Sequence, residues 1–282
     1  MSNSRAMSPA VISPPANIRN TRRRVGSASA LKTSSIRYLA RHLNIRHWDL
    51  RRWALGPGRK FHNALTPNAF PPQRPLSQYP LPMSFIVCID PGHPSEVGMG
   101  TRGKKLTEVG VVWDVAQRLK TRLEKDGKTV VLTKDAERKF TKNRDRAAAA
   151  NRAKADLMVR LHCDAAAGTG YAVYWPSQQG TAQGRTGPAL EVIAKTGPIA
   201  KRFHAALAKE MKGLLRDNGL KGDRSTYIGG KQGALTGSIF SEVPVVLIEL
   251  CVLTNPKDEA FMAVAANREK VAATAIKASS FG

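Results

Sequence analysis

Cysteine is scarce: three residues, Cys88, Cys163 and Cys251, are spread along the chain with no CxxC pair. That argues against a disulfide framework and against a structural cysteine-type zinc site. No apolar run approaches the roughly 18 residues of a membrane-spanning helix, so none is expected. No HExxH motif occurs, and no repeat with a period of about 20–50 residues is present, which excludes a repeat array. Acidic residues are also few, 21 against 45 Lys and Arg, for a net charge of +24. Such a charge attracts polyanions. Nucleic acid, anionic membrane and bacterial cell wall all qualify, and charge alone does not choose among them. No DNA-reading motif is visible, so no specific nucleic-acid partner is expected.

The basic excess is uneven. Residues 1–84 hold 14 Lys or Arg and a single acid, Asp49, whereas the remainder holds 31 basic and 20 acidic residues. The first segment is rich in Arg, Ser and Pro, with little that could bury a core, and it reads as a disordered leader. A short helix is compatible with the amphipathic stretch at 36–53. The residues after Arg24 are too short and too polar for the apolar core of a signal peptide. An Arg- and Ser-rich, acid-poor segment fits a targeting arm. A start drawn too far upstream fits equally, with Met83 a natural beginning just before the first strand.

From residue 85 the pattern changes. Short apolar runs at 85–89, 129–133, 157–162, 171–175 and 245–250 read as strands. Between them, helical periodicity covers 107–126, 143–155, a long stretch from 188 or 197 to 216 closed by Asp217-Asn218-Gly219, and 256–277. The Gln- and Gly-rich stretch 177–187 reads as a flexible loop. Alternating strands and helices predict a single α/β domain over 85–282, with a twisted, largely parallel sheet and helices on both faces.

Open α/β sheets carry their sites at the carboxyl ends of the strands. His93 follows the first strand, His162 ends the third, Glu249 lies near the end of the 245–250 strand, and Glu108 opens the first helix. Two imidazoles and one or two carboxylates on one rim match the ligand set of a catalytic zinc. Taken singly, each has another reading: His162 a buried core histidine, His93 a loop residue, Glu108 an acid favoured at a helix N-terminus. Glu249 sits inside the apolar run Val-Val-Leu-Ile-Glu-Leu, and burying a carboxylate there requires a partner or a function. The cysteines also lie near this rim, but strand alternation turns Cys163 away from His162, and packing is the common role of a buried thiol.

These residues resemble a known family. The run from Phe85 to Asp90-Pro91-Gly92-His93 is similar to the opening strand of the zinc-dependent N-acetylmuramoyl-L-alanine amidases of the amidase 3 group. The likeness continues in order through Glu108, Arg146 to Asn151, Ala155-Asp156 to His162, and Pro244 to Glu249 followed by Leu253-Thr254-Asn255. It covers about 85–280. There are departures: Pro94 stands where the family usually has Gly, Arg160 where it tends to have Ser, Asp164 where it tends to have Asn, and Cys251-Val252 where it has Gly-Phe.

The resemblance implies a single zinc ion held by His93, Glu108 and His162, with Glu249 as general base and then general acid. It implies peptidoglycan as substrate, cleaved at the amide between the lactyl group of N-acetylmuramic acid and L-alanine of the stem peptide. Asp90 and Asp164 are then expected to orient the ligating imidazoles. A monomer is expected. The family's place is periplasmic or extracellular, although no clear signal peptide is visible here. Two alternatives remain at this point: a zinc amidase or peptidase acting on another amide, and an inactive peptidoglycan-binding module.

Overall fold

The computed structural model describes residues 85–279. The expected disordered leader at 1–84 and its short helix lie outside the described residues. Four strands run parallel: β1 (Ile86–Pro91), β2 (Thr129–Leu132), β3 (Leu157–Asp164) and β8 (Val245–Val252). β4 (Tyr171–Trp175) pairs antiparallel with β8, and β7 (Asp217–Gly222) pairs parallel with β4. The sheet order is β2-β1-β3-β8-β4-β7. The central strands β3 and β8 are apolar on both faces because both faces are covered.

On one face pack α1 (Glu108–Lys125), α3 (Leu190–Glu210) and α7 (Ala265–Ser279). Val111, Val115, Leu119 and Leu123 recur at helical spacing along α1 and are buried against Val87, Ile89, Val159 and Leu161 of the sheet. Each such side chain contributes roughly 1.5–3 kcal/mol by leaving water. On the opposite face α2 (Asn143–Arg152) packs Ala150 against Cys88, Met158 and Val245. The two short helices α4 (Tyr227–Gln232) and α5 (Thr236–Ile239) complete that side, with Ile239 against Ala147. Among the described residues no helix is long and apolar enough to cross a membrane.

Several boundaries differ from the sequence expectation. Asp217-Asn218-Gly219 does not simply end a helix: α3 stops at Glu210, and Asp217 begins the edge strand β7. An edge strand needs only backbone pairing on one side, so it can form without an alternating apolar pattern, here even with Gly219 at φ +88°. The single helix expected over 256–277 is two, α6 (Pro256–Ala263) and α7, because Val264 is extended (φ −82°, ψ 117°). The stretch 177–187, read as a flexible loop, contains a hairpin of β5 (Gly180–Ala182) and β6 (Arg185–Gly187).

Candidate metal centre

His93, Glu108 and His162 each offer a donor atom, and the three atoms lie within 4.8 Å of one another. Each arrives for a local reason. β1 ends in Asp90-Pro91, and after Gly92 the chain turns at His93, φ +48°. A left-handed conformation costs a non-glycine residue of order 1–3 kcal/mol, so its surroundings must hold it there. Two buried cations do so. Lys134 donates to the carbonyls of His93 and Glu137, the latter at 2.7 Å. Arg146 donates to the carbonyls of Pro91 (2.7 Å) and Pro94 (3.0 Å). Thr107 caps α1 by accepting from the Gly110 N–H, which places Glu108 at the first helical position. His162 stands near the end of β3, just before a register shift between His162 and Asp164.

Glycine is required where these elements meet. A Cβ on Gly92 would lie 2.5 Å from Cε1 of His162, so the imidazole rests directly on the glycine backbone. Gly100, at φ +84°, passes between Glu108 and His93 with room for no side chain.

Glu108 is the hub of the cluster. Its Oε1 lies 3.0 Å from Nδ1 of His162 and 3.6 Å from Nε2 of His93. Cys163 N–H donates to Oε1 and Thr101 N–H to Oε2. Burial alone would raise the Glu108 carboxyl, but His162, His93 and the Thr101 N–H together hold it below the ordinary range. Burial pushes His162 down, toward the neutral imidazole that ligates a metal.

Glu249 is the partner of His162 in the β3–β8 register. Burial, then Glu108 and Asp164, push its carboxyl well above the usual range. Nε2 of His162 and Oε2 of Glu249 are both buried with no hydrogen-bond partner among the described residues. Orphaned polar atoms of this kind call for a ligand. The donor set of two imidazoles and a carboxylate fits zinc. The three donor atoms, within 4.8 Å of one another, are close enough to share one ion.

The imidazoles are oriented differently from the sequence expectation. Nδ1 of His93 faces the Gly98 carbonyl at 3.0 Å, which directs Nε2 toward Glu108. Asp90 does not serve an imidazole: it is fully buried and paired with Arg146 (2.7 Å) and Arg160 (2.9 Å), with Thr133 donating at 2.6 Å. Two guanidinium groups satisfy it more completely than an imidazole would. Oδ1 of Asp164 accepts from its neighbour, the Ala165 N–H, at 2.7 Å. The buried thiols of Cys88 and Cys163 are disfavoured as nucleophiles. Burial pushes Cys88 up to about 12, and contact with Cys251 plus burial raises Cys163 well above the thiol range.

Sequence reading missed the roles of Lys134 and Arg160. Arg160, a departure from the family pattern, donates to Oδ1 of Asn143 at 2.6 Å as well as to Asp90, and its guanidinium fills the space that a side chain on Gly237 would need. Lys134 follows β2 at the same rim as His93, and that position was the available signal.

Residues 87–279 match the family described as N-acetylmuramoyl-L-alanine amidase. The chain belongs to that family. Among curated proteins it is 38% identical over 82 residues to the N-acetylmuramoyl-L-alanine amidase AmiC of Escherichia coli O6:H1, a match spanning 29% of this chain and 19% of that relative. Among solved structures it resembles AmiC2 of Nostoc punctiforme, at TM-score 0.55 and 21% identity over 69% of this chain and 94% of that one. The catalytic domain of CwlV from Bacillus (Paenibacillus) polymyxa var. colistinus gives TM-score 0.55 and 22% identity over 68% and 94%. These two likenesses concern the fold. The amidase-family region coincides with the described domain, and the ligand cluster lies inside it.

Proposed function

We propose that the domain is a zinc-dependent peptidoglycan hydrolase that cleaves the amide between the lactyl group of N-acetylmuramic acid and L-alanine of the stem peptide. The observation that carries this reading is the convergence of His93, Glu108 and His162 with Glu249 across the sheet, in a chain of the amidase family. Bound by the three donors, a zinc ion would polarise the scissile carbonyl, lower the pKa of a water and favour the ionised form of Glu249.

The chain's own residues supply the rest. Glu249 takes the proton of the attacking water at Oε2 and delivers it to the alanine nitrogen as the bond breaks, serving as base and then acid. Lys134 and Arg146 hold the backbone of the His93 loop so that its imidazole need not reorganise. Gly98 fixes the His93 tautomer from behind. Peptidoglycan is the partner, the working place is periplasmic or extracellular, and the protein acts as a monomer with a single zinc ion.

Mass spectrometry of muropeptides after digestion of purified peptidoglycan, with and without chelator, tests the reading. Release of stem peptides with a free alanine N-terminus, abolished by chelator, is expected. Binding without cleavage would instead identify an inactive wall-binding module, and cleavage only at other amides would identify a different hydrolase.

A further inference from the structure

The segment from Leu253 to Glu259, just after the strand that carries Glu249, has no part in the chemistry above, yet it reaches two other parts of the site. The side chain of Glu259 on α6 is 7% exposed, and its Oε1 accepts from the Lys105 N–H (2.6 Å) and the Leu106 N–H (2.8 Å). Those two amides form the tip of the hairpin 101–108. Its stem is closed by the Arg102–Thr107 bridge, by Gly103 N–H to the Leu106 carbonyl and by Glu108 N–H to the Thr101 carbonyl. The stem ends on the ligand itself, because the Thr101 N–H donates to Oε2 of Glu108 at 2.7 Å. Gly103 makes the approach feasible: a Cβ there would lie 2.4 Å from Oε1 of Glu259 and 2.9 Å from the Leu253 carbonyl.

The adjacent acid works in the other direction. Asp258, 1% exposed, accepts from the Val252 N–H at the end of β8 (3.0 Å) and from the Gly170 N–H beyond β3 (2.7 Å). Leu253 N–H donates to the Asp164 carbonyl, two residues after His162. One helical turn thus ties the hairpin that presents Glu108 to the strand ends that present His162 and Glu249.

We infer that Glu259 is a positioning residue for the metal centre, acting through hairpin 101–108 on the Glu108 carboxylate. The inference rests on the proposed metal site and is independent of which amide is cleaved. Both N–H groups converge on one oxygen, so the demand on residue 259 is an acceptor of the right reach. An amide oxygen meets that demand and a methyl group does not.

The test compares the full chain as wild type, Glu259→Ala, Glu259→Gln, Gly103→Ala and the remote core variant Phe203→Leu. Zinc affinity is read by competition with a chromogenic chelator, the cobalt(II)-substituted absorption spectrum reports the ligand geometry, and the metal-free melting temperature is recorded for each. Glu259→Ala is expected to weaken zinc binding about 10–100-fold, the usual range for a group supporting a ligand, and to alter the cobalt spectrum. Glu259→Gln is expected to restore both. Gly103→Ala, which pushes the hairpin off the same oxygen, is expected to reproduce the loss even if the alanine variant at 259 does not fold. Phe203→Leu is expected to lower the melting temperature with wild-type affinity and spectrum. Unchanged affinity in Glu259→Ala or Gly103→Ala would overturn the inference, as would a glutamine variant as weak as alanine, or a Phe203→Leu variant with equal loss. If wild-type protein took up no zinc, the metal reading and this inference would fall together; zinc uptake without cleavage of peptidoglycan would overturn only the substrate.

Discussion

Glu249 and His162 face each other across adjacent parallel strands, and each carries a buried polar atom with no hydrogen-bond partner among the described residues. The pairing arises because β3 and β8 keep register up to that row and lose it just beyond, between His162 and Asp164. A donor from one strand and an acid from the next are thereby held on the same face of the sheet, as cross-strand partners are.

The contact between Gly92 and the His162 ring gives a sharp prediction. Gly92→Ala would drive a methyl group to within 2.5 Å of Cε1, closer than any side chain tolerates. We expect the imidazole to rotate off its position and zinc affinity to fall by at least about 10-fold, on the scale of losing ligand support. Isothermal titration of zinc into the metal-free protein measures it.

The buried triad of Asp90, Arg146 and Arg160 contributes to acid stability. Burial alone would raise the Asp90 carboxyl, but the two guanidinium groups and Thr133 hold it far below the ordinary carboxylate range. Because the folded-state value lies below the unfolded one, the contribution is complete above about pH 4 and is lost as pH falls toward the folded value. Urea unfolding from pH 6 to pH 2 should show this decline, and Asp90→Asn should make it shallower. Arg146→Ala, which breaks a buried pair and frees the carbonyls of Pro91 and Pro94, is expected to cost about 3–5 kcal/mol.

Lys134 behaves in the opposite sense. Burial, and then Arg146, push its ammonium down to about 8, below the unfolded value of 10.5. The folded state is therefore penalised for keeping the proton. That penalty is full below about pH 8 and is relieved as pH rises toward the unfolded value, so stability should climb over that interval. Lys134→Met should remove this rise. It should also loosen the His93 loop, seen as weaker zinc binding, because the His93 carbonyl loses its donor.

Much of the fold and site was readable in the sequence, and the exceptions have physical causes. The strands were legible because covered sheets demand apolar runs, as in Leu157 to Leu161 and Val245 to Ile248. The ligands were legible because they stand at strand ends and helix starts in a recognisable order. β7 was not, since Asn218-Gly219 is turn chemistry and an edge strand relies on backbone pairing with β4. The break at Val264 was hidden because the residues on both sides favour helix. The partners of Asp90 were hidden because Arg146 and Arg160 lie 56 and 70 residues away. A lysine just after a strand is ordinarily solvated, so Lys134 gave no local sign of burial, whereas Arg160 lies inside the apolar run of β3 and only its partners were hidden.

The most direct test of the account is zinc content and peptidoglycan hydrolysis measured together on wild type, His162→Ala and Glu249→Gln. We expect wild type to bind zinc stoichiometrically and cleave, and His162→Ala to lose both. Glu249→Gln should keep its zinc while hydrolysis falls about 10²–10⁴-fold, the range typical of a lost general acid–base group. Full hydrolysis by Glu249→Gln, or undiminished zinc in His162→Ala, would contradict the account.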